Sequence, residues 1–325
     1  MTESDLIDTI FAPLAFGAAG SYGLRDDVAF VSASSHGFIV TQDQVIEGTH
    51  FLPDDPLDMI ARRLVRRNLS DIIAKGGVPT AAFLSLAWPA SRDRSGIAEF
   101  AHGLGDDLDL LCGKCPLMGG DTSVTSGHLI ASLTMMGRAT APNDQPVLRS
   151  GAQVGDIVAV TGVVGDSWLG LQARQGLLDA AQLTVCSQFS MAPSPPSVAI
   201  APYIGRYAHA SIDVSDGLIK DANHIAKASQ VAMTLDLTSL PLSYEAANFS
   251  GFDSDIDRAI ALAIGGDDYQ PLITLSEVDF LAFKLACEAE GVSVTKIGYC
   301  HEGTGMTLSY GNQLVCMPSE TGWQI

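Results

Sequence analysis

Aspartates beside glycines and at the ends of apolar runs are the residues of this chain best suited to chemistry. "GLRDDVAFV" sets Asp26 and Asp27 directly before an apolar run, and "VTQDQVIEGTHF" places Asp43 at the end of another. "LMGGDTS" puts Asp121 after a glycine pair, and "SIDVSDG" supplies Asp213 and Asp216. "AIGGDDYQPL" repeats the Gly-Gly-Asp device at Asp267 and Asp268. Glycine lets backbone come close to a ligand, and neighbouring carboxylates are hard oxygen donors of the kind Mg2+ takes. Singly, each has a plainer reading. Asp26 and Asp27 fit an exposed turn, and Asp267 and Asp268 fit the cap of a following helix or turn. Together they favour a metal cluster.

Asp71 is the sharpest single case. On a helical wheel through 57–73, at about 100° per residue, Leu57, Ile60, Ala61, Leu64, Val65 and Ile72 share one half. Asp71 falls between Ile60 and Leu64, with Asn68 close by, while Arg62, Arg63 and Arg66 fall on the opposite, solvent-like side. A carboxylate inside an apolar arc is costly unless paired or metal-bound. The alternative is a structural aspartate that caps a turn or meets a buried arginine.

Other chemistries lack their signatures. No G-x-x-x-x-G-K-[ST] loop, G-x-G-x-x-G turn or G-x-S-x-G elbow occurs, and the seven histidines show no ligand spacing. Of six cysteines only Cys112 and Cys115 form a CxxC, with no second pair to complete a zinc site, so buried reduced thiols are expected. His50 in "GTHF" reads first as a satisfied polar residue, and Trp323 as a tail anchor.

The elements that must position these residues alternate between strand and helix. "GFIVTQDQV" (37–45), "AAFLSLAWP" (81–89) and "HLIASLTMMGRA" (128–139) read as strands, with helices over about 56–75 and 95–111 between them. The Pro- and Gly-rich stretch 138–156 is the best domain boundary. Beyond it come a strand at 156–162, a helical stretch from Asp166 to Gln175, a Pro-rich loop at 191–197 and a late helix over 280–291. The short β-branched run 211–214 turns at Gly217 into a helix. We therefore expect an α/β (α+β) protein of two mixed sheet-and-helix domains of similar size, 1–140 and 150–325. A net charge of −19 argues against nucleic acid as a partner. There is no apolar run of membrane-spanning length, and the acidic start lacks a basic n-region, so a cytoplasmic location without membrane association is expected.

Nine motifs in order resemble those of thiamine-monophosphate kinases, in the aminoimidazole ribonucleotide synthetase-like superfamily. They are "GLRDDVAFV", "TQDQVIEGTHF", "NLSDIIAKGGVP", "LMGGDTS", "VLRSGAQVGD", "VTGVVGDSWLGL", "IDVSDGLIKDANHIAKAS", "GGDDYQPLIT" and "IGY". The resemblance covers nearly the whole chain. It implies transfer of the ATP γ-phosphoryl group to thiamine monophosphate with several Mg2+ ions, in a homodimer paired through the N-terminal domains. By position it implies Asp27, Thr41, Asp43, Asp71, Asp121, Asp213 and Asp216 as metal ligands. Gly120, Asp121, Arg149 and Ser215 would contact ATP, and His50, Asp267 and Trp323 the thiamine phosphate. Asp221 is left as structural. Gln42 stands where a hydroxyl residue is usual, Asp267 where Glu is usual, and Pro196 where Arg is frequent; the chain ends "GWQI". Three relatives in the superfamily fit less well. A selenophosphate synthetase would need a reactive residue near the N-terminus, but the first cysteine is Cys112. A hydrogenase-maturation dehydratase would need a C-terminal Cys, and the aminoimidazole ribonucleotide synthetase lacks "EGTHF" with "NLSDI" in this form. A non-catalytic Mg-nucleotide-binding protein is the reading from another class.

Overall fold

A computed structural model of the chain describes residues 7–18, 21, 37–319 and 321–322. Asp26, Asp27 and Trp323 lie outside the described residues. The chain divides into two compact units, one formed by Met1–Ile72 with Gly77–Ala139 and a larger one by Ile73–Gly76 with Thr140–Ile325.

The first unit is built on four strands: β1 (Ile39–Ile46), β2 (Gly77–Pro89), β3 (Leu117–Thr125) and β4 (Ile130–Ala139), in the order β1-β4-β2-β3. Alternation along β4 buries Ala131, Leu133 and Met135 and leaves Ser132, Thr134 and Met136 partly exposed, as expected of a sheet covered on one face. The helix Leu57–Ala74 follows from the apolar periodicity: Ile60, Ala61, Leu64, Val65, Leu69 and Ile72 are all buried. A second helix, Gly96–Leu110, buries Ile97, Phe100, Ala101, Leu104 and Leu108. It packs tightly on the first, since a Cβ at Gly103 would meet the Asp58 carbonyl oxygen at 2.2 Å.

"LMGGDTSVT" is strand β3, paired in parallel with β2. One sequence expectation fails here: the arginines of the first helix do not face solvent. Arg63 is buried, and Arg62 and Arg66 reach Asp107 at 2.8 and 2.6 Å on the second helix. The second helix carries its own acidic residues to that side, so the polar face of the first is covered rather than wet.

The second unit holds a seven-stranded mixed sheet in the order β11-β10-β7-β9-β5-β8-β6. Its strands are β5 (Ile157–Thr161), β6 (Ala210–Asp213), β7 (Ala232–Asp236), β8 (Pro271–Leu275), β9 (Val294–His301), β10 (Gly305–Tyr310) and β11 (Gln313–Val315). Only β7 and β10 pair in parallel. β5 and β8 are buried at every position, which their unbroken apolar runs require. Helices Leu218–Ser229 and Asp255–Ile264 pack into the main core through Leu218, Ile219, Ile225 and Ala263, against Val160, Ile212 and Leu272. The helix Glu277–Ala289 starts three residues before the apolar pattern suggested. Ser276 caps it by accepting from the Asp279 backbone N–H at 3.2 Å. Cys112 and Cys115 are reduced and buried, and burial pushes the Cys115 thiol up to about 12, so neither thiol is reactive at neutral pH.

Candidate active site

In the first unit β1 and the helix Leu57–Ala74 are held in register by polar side chains. Along β1, Thr41 and Asp43 are half-buried while Val40, Gln42 and Gln44 are exposed. Strand positions two apart share a face, and helix positions three apart share a stripe. Asn68 and Asp71 on the helix therefore meet Asp43 and Thr41 on the strand. Thr41 Oγ1 donates to Asp71 Oδ2 at 2.6 Å. The Asp43 backbone N–H donates to Asn68 Oδ1 at 3.1 Å, and Asn68 Nδ2 donates to the Leu64 carbonyl at 2.9 Å. Asn68 is wholly buried, so both ends of its amide are employed within the fold. Arg67 Nη2 lies 3.3 Å from Asp43 Oδ1. The carboxylates of Asp43 and Asp71 are thereby presented side by side. Gln42 lies on the other face of β1, so the loss of a hydroxyl there leaves the Thr41–Asp71 pair intact.

Asp121 is exposed on β3, in register with Ser85 of β2. At Gly120 the β2 backbone comes so close that a Cβ would meet the Leu84 carbonyl oxygen at 1.9 Å, and only glycine fits. His50, in the turn after β1, accepts the Ile46 backbone N–H at Nδ1 at 3.1 Å. That bond puts the neutral ring's proton on Nε2.

In the second unit Ser215 and Asp267, expected on the nucleotide and acceptor sides, come together around one turn. β6 ends at buried Asp213, Gly217 takes φ 125°, and the helix begins at Leu218. A Cβ at Gly217 would meet the Ile264 carbonyl oxygen at 2.6 Å, which explains the glycine twice over. The segment Gly265–Gln270 lies against this turn. Val214 N–H donates to the Gln270 carbonyl at 2.9 Å, Tyr269 N–H to the Val214 carbonyl at 2.8 Å, and Asp267 N–H to the Ser215 carbonyl at 2.8 Å. Ser215 and Asp267 are thus adjacent through the backbone. Asp216 pairs with Lys220 Nζ at 2.7 Å, one helical turn on. Gly322 also belongs here, with its Cα placed so that a Cβ would meet the Asp216 carbonyl oxygen at 2.3 Å. Arg149 is exposed, and its carbonyl accepts Ser229 Oγ at 3.3 Å, tying it to the helix Leu218–Ser229.

Asp221, taken from sequence as structural, holds the turn closed. Its Oδ2 accepts the backbone N–H groups of Ser215 and Asp216, each at 3.1 Å. Burial, with the Asp216 charge added, pushes its carboxyl up to about 7. Asp268, paired with Asp267 in the sequence, is buried. Burial, with Asp166, Asp267 and Asp221 nearby, holds its carboxyl well above the usual carboxylate range, against the lowering effect of the Gly165 N–H bond. Its only sequence signal was its place beside Asp267.

Among the described residues, no group of three or more His, Cys, Asp or Glu side chains is gathered closely enough to hold a metal by itself.

Residues 25–139 match the family model described as AIR synthase related protein, N-terminal domain. A thiamine-monophosphate kinase of Caulobacter vibrioides is 38% identical over 99% of this chain and 90% of its own. The chain belongs to the thiamine-monophosphate kinase family. An Escherichia coli K12 kinase of this name is 34% identical over 85% of this chain and 83% of its own. The crystal structure of the kinase from Stenotrophomonas maltophilia K279a superposes with a TM-score of 0.84 at 30% identity, covering 95% and 96% of the two chains. A structure of AaThiL complexed with AMPPCP and TMP superposes at 0.76, with 28% identity over 99% and 98%. The hydrogenase maturation protein HypE in complex with ATP shares the fold, with a TM-score of 0.77 at 17% identity. The family has mixed sheets flanked by helices, as both units here do.

Proposed function

We propose that the protein transfers the γ-phosphoryl group of ATP to thiamine monophosphate, giving thiamine diphosphate and ADP, as the last step in making thiamine diphosphate. Full-length similarity to kinases of this name supports the reaction. The observation on this chain that carries it is the hydrogen bond from Asp267 N–H to the Ser215 carbonyl, which seats an acceptor-side residue beside a nucleotide-side residue.

The acceptor oxygen belongs to a phosphate already ionised at neutral pH, so the reaction needs no general base. It needs two mutually repelling polyanions aligned in line. We assign Asp27, Thr41, Asp43, Asp71, Asp121, Asp213 and Asp216 to Mg2+. Mg2+ keeps several waters and takes one or two carboxylates plus substrate phosphates, so oxygen donors arranged in pairs rather than trios suit it. When bound, Mg2+ supplies the positive charge that lets the two polyanions approach. Thr41, by donating to Asp71, orients that carboxylate for the ion. Lys220 neutralises Asp216. Arg149 adds a guanidinium for the ATP phosphates, with Gly120 and Ser215 as backbone-level contacts to the nucleotide. His50 offers its Nε2–H, Asp267 its carboxylate, and Trp323 its indole face for a cation–π contact with the thiazolium ring.

We also propose a homodimer in the cytoplasm. The uncovered face of the first unit's sheet carries Val40, 59% exposed, with Phe83, Ile130 and Met136 partly exposed. Among the described residues no helix is long and apolar enough to cross a membrane. The reaction is tested by ADP release from the purified protein with ATP and Mg2+. Release that depends on added thiamine monophosphate is expected, and ADP release at the same rate without it would refute the assignment.

A further inference from the structure

Asp268 is 1% exposed and stands between two non-glycine residues in left-handed backbone, Asp267 at φ 62° and Tyr269 at φ 54°. Such conformations are strained and persist only where the surroundings impose them. Three backbone hydrogen bonds tie this turn to the β6 end at Val214 and Ser215. The Asp268 side chain supplies a further tie. Its Oδ1 accepts the Gly165 backbone N–H at 2.8 Å, while its Oδ2 is buried with no hydrogen-bond partner among the described residues. Gly165 itself sits at φ 93° at the start of the helix Asp166–Arg174, where a Cβ would meet Leu262 Cδ2 at 2.7 Å. The acceptor is therefore fixed on a rigid donor. On the far side Tyr269 Oη donates to Asp267 Oδ1 at 2.9 Å, so the same turn orients the Asp267 carboxylate. Gln270 completes the bracket, with Nε2 donating to the Asp268 and Ser194 carbonyls at 3.2 and 3.0 Å.

A buried carboxyl with one idle oxygen is a poor way to gain stability, because an apolar side chain of similar volume would avoid the desolvation cost. Its geometric effect is specific: it sets where Asp267 points. We infer that Asp268 is a positioning residue for the acceptor substrate, holding the left-handed turn that aims Asp267 by anchoring it to the Gly165 N–H. The inference rests on the reading that Asp267 contacts thiamine monophosphate.

Three variants test it, each assayed for KM toward thiamine monophosphate and toward ATP and for thermal midpoint. Asp268→Asn keeps an oxygen for the Gly165 N–H and should leave both KM values within about threefold of the parent. Asp268→Leu removes the acceptor and should raise KM for thiamine monophosphate about tenfold, the equivalent of one lost hydrogen bond, with KM for ATP unchanged. If Asp268→Leu does not fold, Asp268→Glu, which displaces the carboxyl by one methylene, carries the same expectation. Asp267→Ala serves as the reference. A raised KM for thiamine monophosphate in Asp267→Ala, with none in Asp268→Leu or Asp268→Glu, overturns the positioning role alone. An unchanged KM in Asp267→Ala overturns the substrate contact and the inference with it. A lowered thermal midpoint with both KM values unchanged, or raised alike, marks Asp268 as merely structural and also overturns the inference.

Discussion

The two acidic regions of this chain are made in opposite ways. In the first unit Thr41, Asp43, Asn68 and Asp71 stand on a regular strand and a regular helix, and two hydrogen bonds fix their spacing. In the second, Asp213, Ser215, Asp216, Asp267 and Asp268 stand on the end of a strand and on turns with positive φ, held by backbone hydrogen bonds and close-packed glycines. The first region keeps its carboxylates half-exposed, where a hydrated cation can reach them. The second buries Asp221 and Asp268 to brace the more exposed Asp216 and Asp267. Regular elements suit ligands that must be presented at a fixed pitch; strained turns suit ligands that must be aimed.

If that division is right, substitutions in the first region should act on turnover and those in the second on geometry. The largest effect expected is for Asp71→Asn. It should lower kcat by about a hundredfold or more at saturating Mg2+, with little change in thermal midpoint, because a half-exposed carboxylate contributes little to folding. A large loss of stability with unchanged specific activity would make Asp71 structural. Thr41→Val should be milder, raising the Mg2+ concentration for half-maximal rate by about tenfold, as loss of a ligand's supporting hydrogen bond does. No shift in the Mg2+ titration would separate Thr41 from the ion. Trp323→Ala should raise KM for thiamine monophosphate by about fivefold, within the range of a cation–π contact, and leave KM for ATP unchanged. Equal losses for both substrates would remove the stacking role.

Asp221 sharpens the contrast through pH. Burial and the nearby Asp216 charge push its carboxyl up to about 7 from the ordinary 3.8, so the folded state holds a proton that the unfolded chain gives up. The stability this confers is complete at pH below about 4 and is lost as pH rises to about 7. At about 1.4 kcal/mol per unit the change is on the order of 4 kcal/mol. In urea titrations without metal, the stability of the parent relative to Asp221→Asn should fall across that window. A constant difference would show that Asp221 titrates like an exposed carboxylate.

How legible each region was in the sequence follows from how it is built. Helical periodicity exposed Asp71 as a carboxylate out of place among Ile60 and Leu64, and strand alternation carried Thr41 and Asp43. The same wheel misassigned Arg62, Arg63 and Arg66, because a single helix cannot show that a neighbour bearing Asp106 and Asp107 will cover its polar side. "LMGGDTS" hid a strand, since its glycines answer to the approach of the β2 backbone rather than to a turn. "GGDDY" showed that a close backbone contact was present. It could not show which aspartate faces outward, because that depends on φ at Asp267 and Tyr269, and the long-range bond to Gly165 crosses about a hundred residues of sequence.

The most direct test of the central claim is to incubate the protein with thiamine monophosphate, Mg2+ and ATP labelled in its γ-phosphate, and to isolate the thiamine products. Thiamine diphosphate carrying the label in its terminal phosphate is expected, in amounts equal to the ADP formed. Label released only as inorganic phosphate, with thiamine monophosphate recovered unchanged, would contradict that claim.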